Sequence, residues 1–232
     1  IHGAVPDVFI NADGFKKSIS APGPGNYLTM AKAVHSAMQI VGPDAVKERS
    51  FVHAHGSSTP ANRTTESEIL DRVADAFGIN NWPVAAAKAY VGHSLASASA
   101  DQLMATLGSF RYQIIPGIKS KPLEVAFINS KGFGGNNASA LVLAPSVVER
   151  MLAKRYGEAV FADYRARREQ TRANAAAYEQ RALKGQLDII YNFGQGMIDE
   201  HEIVISDTDI SIPGFSKKLS FRKDERFKDM LD

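Results

Sequence analysis

The stretch Phe51-Val52-His53-Ala54-His55-Gly56-Ser57-Ser58-Thr59-Pro60 constrains the chain more than any other. Its first half is a short apolar run that suits a buried strand. Its second half is glycine, three hydroxyl residues and proline, which can only be a tight polar turn. A histidine at the end of a buried strand, delivered into such a turn, sits where open α/β sheets put their active sites. Two later stretches, Lys88 to Ser99 and Asn129 to Ala138, are built to meet it.

The segments around it alternate in type. Val5 to Ile10 reads as a strand closed by Asn11-Ala12-Asp13-Gly14. After Ser20-Ala21-Pro22-Gly23-Pro24-Gly25, which excludes regular structure, Asn26 is placed to cap a helix running to about Val41, where Gly42-Pro43 stops it. Thr65 to Gly78 carries Ile69, Leu70, Val73 and Phe77 at helical spacing. Val84 to Ala87 is a short strand of small residues ending at Lys88, and Ser94 to about Tyr112 is a second helix whose Ala- and Ser-rich start permits close neighbours. Glu124 to Ile128 is a strand, Ser130 to Asn137 a glycine-rich turn, and Ala138 to Leu143 the returning strand. Strands and helices alternating over short connections predict a layered α/β domain to about Ala144.

Beyond Pro145 the character changes. Val147 to Lys184 is strongly helical, with Gly157 as a possible break, and two strand-like segments follow at Leu187 to Phe193 and Glu202 to Ile212. The chain ends in a basic stretch from Lys217 to Lys223. We therefore divide it into residues 1–146 and an extension, 147–232.

Composition enters mainly by exclusion. The 232 residues include no cysteine, which rules out disulfides, thiolate metal sites and a cysteine nucleophile within this chain. A net charge of +2 is too weak to argue for nucleic acid. No apolar run reaches the length of a membrane span. The start, Ile1-His2-Gly3, is neither an initiator methionine nor a signal sequence, so we expect the chain to begin inside a longer polypeptide, with the cytoplasm as the default location.

Three segments carry the chemistry: His55-Gly56-Ser57-Ser58-Thr59-Pro60 with Asn62 and Glu66 behind it, Lys88-Ala89-Tyr90-Val91-Gly92-His93, and Asn129-Ser130-Lys131-Gly132-Phe133-Gly134-Gly135-Asn136-Asn137-Ala138. Taken singly each has a plain explanation. A strand-end histidine is usually a hydrogen-bonded structural residue, a lone lysine a solvated charge, and Gly-Phe-Gly-Gly a hairpin corner. Together, in this order and at these intervals, they resemble the three motifs of the C-terminal half of the β-ketoacyl synthases, the condensing enzymes of fatty-acid and polyketide synthesis. The resemblance covers roughly residues 5 to 144.

That resemblance implies a thiolase-like layered α/β fold, with a mixed sheet and flanking helices, assembled as a homodimer. It implies decarboxylative Claisen condensation without cofactor or metal, on malonyl and acyl groups borne by an acyl carrier protein. His55 and His93 match the family's paired donors for an enolate oxygen, which need neutral rings. Lys88 matches the family's lysine and Glu66 the carboxylate it pairs with. Phe133, with Gly134 and Gly135, matches the gating turn, and Ser57 and Thr59 lie where substrate binds. The nucleophilic cysteine belongs to the family's N-terminal half, so the chain alone is expected to be inactive.

The chain departs from the family pattern in places. Arg63 stands where an aspartate is usual, Lys131 replaces the first phenylalanine of the third motif, and Ala96-Ser97-Ala98-Ser99 replaces Gly-Ala-Ala-Gly. His2, His35, His53 and His201 are read as structural, with His53 close enough along the strand to stand behind His55. In the extension, Arg165, Arg167, Arg168, Lys217, Lys218, Arg222 and Lys223 are candidates for docking an acidic carrier protein, besides simple packing. Two other readings stay open: a non-catalytic partner subunit similar to a chain-length factor, and a binding module whose glycine-rich turn holds an anion.

Overall fold

The structure, a computed structural model, describes residues 1–14, 23–115, 122–186 and 192–221. Two compact units divide the chain, Ile1–Arg167 and Arg168–Asp232.

The first unit is organised on the strand that carries the histidines. Strand β2 (Ser50–His53) is buried along its whole length, with Phe51 and Val52 fully inaccessible to solvent. Removing a side chain of that size from water contributes roughly 1.5–3 kcal/mol. Two parallel neighbours flank β2: β3 (Val84–Ala85) and β4 (Val125–Gly132). The sheet continues antiparallel through β5 (Asn136–Leu143) to the edge strand β1 (Ala4–Ala12), giving the order β1-β5-β4-β2-β3.

Helices α1 (Pro24–Val41), α2 (Pro43–Arg49) and α3 (Pro60–Phe77) precede the one-turn α4 (Lys88–Val91) and α5 (Ala98–Tyr112). Successive side chains of a strand point to opposite faces, and β4 shows which helices lie where. Asn129 reaches residues of α1 and α3, whereas Ser130 reaches Gln102 of α5. The sheet is thus a layer between helices, mixed and α/β.

Several expected boundaries move. Helix α1 begins at Pro24, so Asn26 is inside it and caps nothing; proline presets the first helical φ, and the Asn26 amide is taken by Asn129 at 2.6 Å. Helix α3 begins five residues before Thr65, because Thr59 caps it by accepting from the Asn62 N–H at 3.4 Å and Pro60 opens the first turn. Strand β3 stops at Ala85, and Lys88 opens α4 rather than closing a strand. Residues Leu95–Ser97 form a tight turn before α5 starts. Strand β4 runs on through the third motif to Gly132, so the glycine-rich turn shrinks to Phe133–Gly135.

After β5 come α6 (Pro145–Tyr156) and α7 (Glu158–Leu183), separated as expected at Gly157, whose φ of 86° lies in the region that favours glycine. Val147 and Val148 of α6 are buried in the core cluster, and the division between the two compact units falls inside α7. In the second unit, β6 (Val204–Ile205), β7 (Asp209–Ser211) and β8 (Leu219–Ser220) make a small antiparallel sheet with no fully buried residue in its strands. The first five residues of the expected strand from Leu187 lie outside the described residues. No helix among the described residues is long and apolar enough to cross a membrane.

Candidate active site

The first, second and third motifs converge where β2 ends. His55 is buried at 5% exposure, while His93 is exposed beside it, with ring centroids 5.6 Å apart and planes at 80°. The two rings meet edge to face.

The backbone selects the tautomer of each ring. The Lys131 N–H donates to His55 Nδ1 at 3.3 Å, and the Leu95 N–H donates to His93 Nδ1 at 3.0 Å. A ring nitrogen that accepts a hydrogen bond carries no proton, so in both rings the proton sits on Nε2. Two adjacent neutral imidazoles, each with an Nε2–H donor, are what an oxyanion binds to. Holding His93 requires Leu95 to take a left-handed φ of 59°, uncommon for a branched residue.

Glu66 organises the buried side. Its carboxylate, 4% exposed, accepts from the His55 N–H at 2.6 Å, the Gly56 N–H at 2.9 Å, the Asn62 amide at 3.1 Å and the Asn129 amide at 2.7 Å. Asn129 also exchanges hydrogen bonds with Asn26 at 2.6 and 3.1 Å, tying α1 to the same cluster. Lys88, 9% exposed, donates to the His55 carbonyl at 2.5 Å. The direct ion pair expected between Lys88 and Glu66 is therefore replaced by an indirect one. The His55 peptide stands between them, its N–H on the carboxylate and its C=O on the ammonium. Charge-assisted bonds of this kind are short and strong.

The electrostatics follow from burial. His55 falls from its usual 6.5 to about 4, chiefly because burial penalises the imidazolium and then because of the Lys88 charge; Glu66 opposes the shift, and His93 and Lys131 add to it. His53, behind it, also falls to about 4 through burial and Lys88. Burial pushes Lys88 below the usual lysine range, while Glu66 and Asp101 pull the other way. Burial first, and the Lys88 charge after it, keep His55 neutral, the state in which Nε2–H can donate.

Phe133 is 84% exposed at the tip of a three-residue hairpin between the paired residues Gly132 and Asn136. Gly134 and Gly135 have φ of 75° and 78°, so this turn requires glycine there for its backbone alone. Ser57 is half-buried and Thr59 exposed; Thr59 is also the cap of α3. A cavity of about 680 Å³ adjoins the turn that follows β2, lined in part by Gly56, Asn62, Arg63 and Glu66.

The sequence reading missed the residues that hold these parts together. Asn26, Gln102 and Thr106 are all buried, and none lies in a motif. Thr106 gives its proton to the Gln102 carbonyl at 2.8 Å and accepts from His53 Nδ1 at 2.8 Å. The available signal was a polar residue on the apolar face of a helix. In the extension, four candidate docking cations are engaged within their own units: Arg165 lies 4.5 Å over the Phe161 ring, Arg167 pairs with Asp163, Arg168 with Glu169, and Lys218 with Asp209. Arg222 and Lys223 lie outside the described residues.

Comparison with known proteins places this geometry. Residues 2–134 match the family described as Beta-ketoacyl synthase, C-terminal domain. The chain is 66% identical to the beta-ketoacyl-[acyl-carrier-protein] synthase FabY of Pseudomonas aeruginosa, covering 100% of this chain and 40% of that protein. The 3-oxoacyl-[acyl-carrier-protein] synthase 2 of Vibrio cholerae is 29% identical, over 53% of this chain and 34% of its own. Among solved structures, the noncanonical ketosynthase FabY from P. aeruginosa superposes with a TM-score of 0.86 at 65% identity, covering 100% of this chain and 40% of that one. A type II polyketide ketosynthase in complex with its acyl-carrier protein gives 0.51 at 22% identity over 62% of this chain and 39% of that chain, a likeness of fold alone. The mixed sheet and its helices are the thiolase-like architecture expected from the motifs. The chain spans less than half the length of these relatives.

Proposed function

The chain belongs to the β-ketoacyl synthase family through that family's C-terminal domain, and on this premise we propose that it supplies the enolate-stabilising half of a two-histidine condensing enzyme. The observation that carries the reading is the shared tautomer of His55 and His93, each with Nδ1 occupied by a backbone N–H.

The chemistry runs in balanced steps. The C–C bond between the malonyl carboxylate and its methylene breaks, CO₂ leaves, and the electron pair moves into an enolate whose oxygen carries the charge. The Nε2–H groups of His55 and His93 donate to that oxygen. Removing one such donor from a protein oxyanion site costs roughly 10²–10³ in rate. The enolate carbon then attacks an acyl thioester, forming the new C–C bond and expelling the thiolate. Lys88 and Glu66 act on His55 by fixing its peptide and keeping its ring neutral. Phe133, with Gly134 and Gly135, closes over the acyl arm, and Ser57 and Thr59 face it.

The sequence has no cysteine to carry the acyl group, and His93 is exposed, whereas an enolate needs a dry site. The reading assigns both the nucleophile and the cover to the N-terminal half of the same enzyme, in a homodimer. The substrates would arrive on an acyl carrier protein.

The test is malonyl-thioester decarboxylation by the full-length protein. His55→Ala and His93→Ala should each lower the rate by about a hundredfold or more. Rates within threefold of wild type for both variants would refute the reading.

A further inference from the structure

Gln102 lies in no motif, hydrogen-bonds to neither catalytic histidine ring, and is completely buried on α5. Strands β2 and β4 pair in parallel as far as His53 and Ile128, and beyond that register they part. Three main-chain carbonyls lie at the parting. The Gln102 amide nitrogen reaches all of them: His53 at 3.2 Å, Ala54 at 2.7 Å and Asn129 at 3.1 Å. Its oxygen accepts from Ser130 Oγ at 3.2 Å, and that hydroxyl lies 2.8 Å from Ser99 Oγ. One side chain thus bridges the residue before His55 and the two residues before Lys131.

Beside this bridge lies a weak bond. The contact from the Lys131 N–H to His55 Nδ1 is 3.3 Å, beyond the usual range for N–H donors, and it crosses the same gap. If β4 moves away by a few tenths of an ångström, that bond is lost, and with it the N–H donor that reserves Nδ1 as an acceptor and leaves the proton on Nε2. The Glu66 bonds fix the His55 N–H and the Asn129 side chain.

We propose that Gln102 is a positioning residue: it spaces the ends of β2 and β4 so that the Lys131 amide fixes the tautomer of His55. The proposal rests on the condensing-enzyme reading for its effect on rate, but not for its effect on the ring.

The experiment uses the full-length protein with Gln102→Leu, which keeps the bulk and removes the amide, and Ser130→Ala, which frees the amide oxygen and the Ser99 hydroxyl but leaves the amide nitrogen's bonds in place. Histidine side-chain nitrogen NMR reports the His55 tautomer, and malonyl-thioester decarboxylation reports kcat and KM. Gln102→Leu should turn the single Nε2–H form into a mixture and lower kcat about tenfold or more, with KM within about twofold, as expected when a donor is misplaced rather than removed. Ser130→Ala should shift the same way, by about threefold in kcat. A Gln102→Leu protein that does not fold leaves Ser130→Ala to decide. Folded variants that keep one His55 tautomer and wild-type kcat overturn the proposal. A wild-type protein that decarboxylates nothing would instead defeat the condensing-enzyme reading, while the NMR still tests Gln102.

Discussion

Replacing Glu66 by glutamine changes one oxygen into an NH₂ group at the centre of a buried cluster. The carboxylate accepts four N–H bonds: one oxygen takes His55 and Asn129, the other Gly56 and Asn62. In the variant, the best arrangement keeps the amide oxygen toward His55 and Asn129 and points the NH₂ at Gly56 and Asn62. Asn62 can answer by turning its own amide, because its Oδ1 is buried without a partner and would accept. The Gly56 N–H cannot turn. One half-buried donor loses its partner and the charge assistance of the others goes with it, which amounts to about 3 kcal/mol. For a unit of this size that is a drop of about 6–12 °C in melting temperature. The assay is thermal and urea unfolding of the full-length protein with Glu66→Gln. Losing the negative charge also lets His55 fall further below about 4. A variant within 1 kcal/mol of wild type would show that Glu66 is not the hub the hydrogen bonds make it.

Other outcomes follow from the same geometry. His53 and His55 bind protons more weakly folded than unfolded, about 4 against 6.5, so their contribution to stability is complete above 6.5 and is lost as pH falls toward 4. Each is worth on the order of 3 kcal/mol over that window at 1.4 kcal/mol per pKa unit, and urea midpoints at pH 7.5 and 4.5 should differ accordingly; equal midpoints would contradict neutral burial. Phe133→Ala should leave stability within about 0.5 kcal/mol, since the ring is exposed, yet lower condensation about tenfold; a full rate would remove Phe133 from the site. Residues 1–232 alone, mixed with an acyl thioester, should show no stable mass increase, because the sequence has no cysteine; an acyl adduct would sink the assignment of the nucleophile elsewhere.

The legible parts were those with a local signature. A buried apolar strand running into a glycine turn put His55 at the sheet end, and Gly157 broke the long helical segment where glycine was expected to. Local signals also misled. Asn26 has the chemistry of a cap, but Pro24 had already opened the helix and the Asn26 amide was required by Asn129 across the sheet. Apolar periodicity puts the start of α3 near Thr65, although Thr59-Pro60 signals it earlier. Gln102 and Thr106 leave only a faint sequence signal, a polar residue on the apolar face of a helix, because the partners that require them lie on β2 and β4. The Lys88–Glu66 pair failed for a related reason. Two opposite buried charges need compensation, but a peptide between them can supply it to both.

The central claim is that two neutral histidines present Nε2–H donors side by side. Nitrogen-resolved NMR of the histidine side chains in the full-length protein, at pH 7, measures it directly. The account predicts that His55 and His93 are both neutral with the proton on Nε2, as their Nδ1 contacts require. Finding either ring protonated on Nδ1 would contradict it.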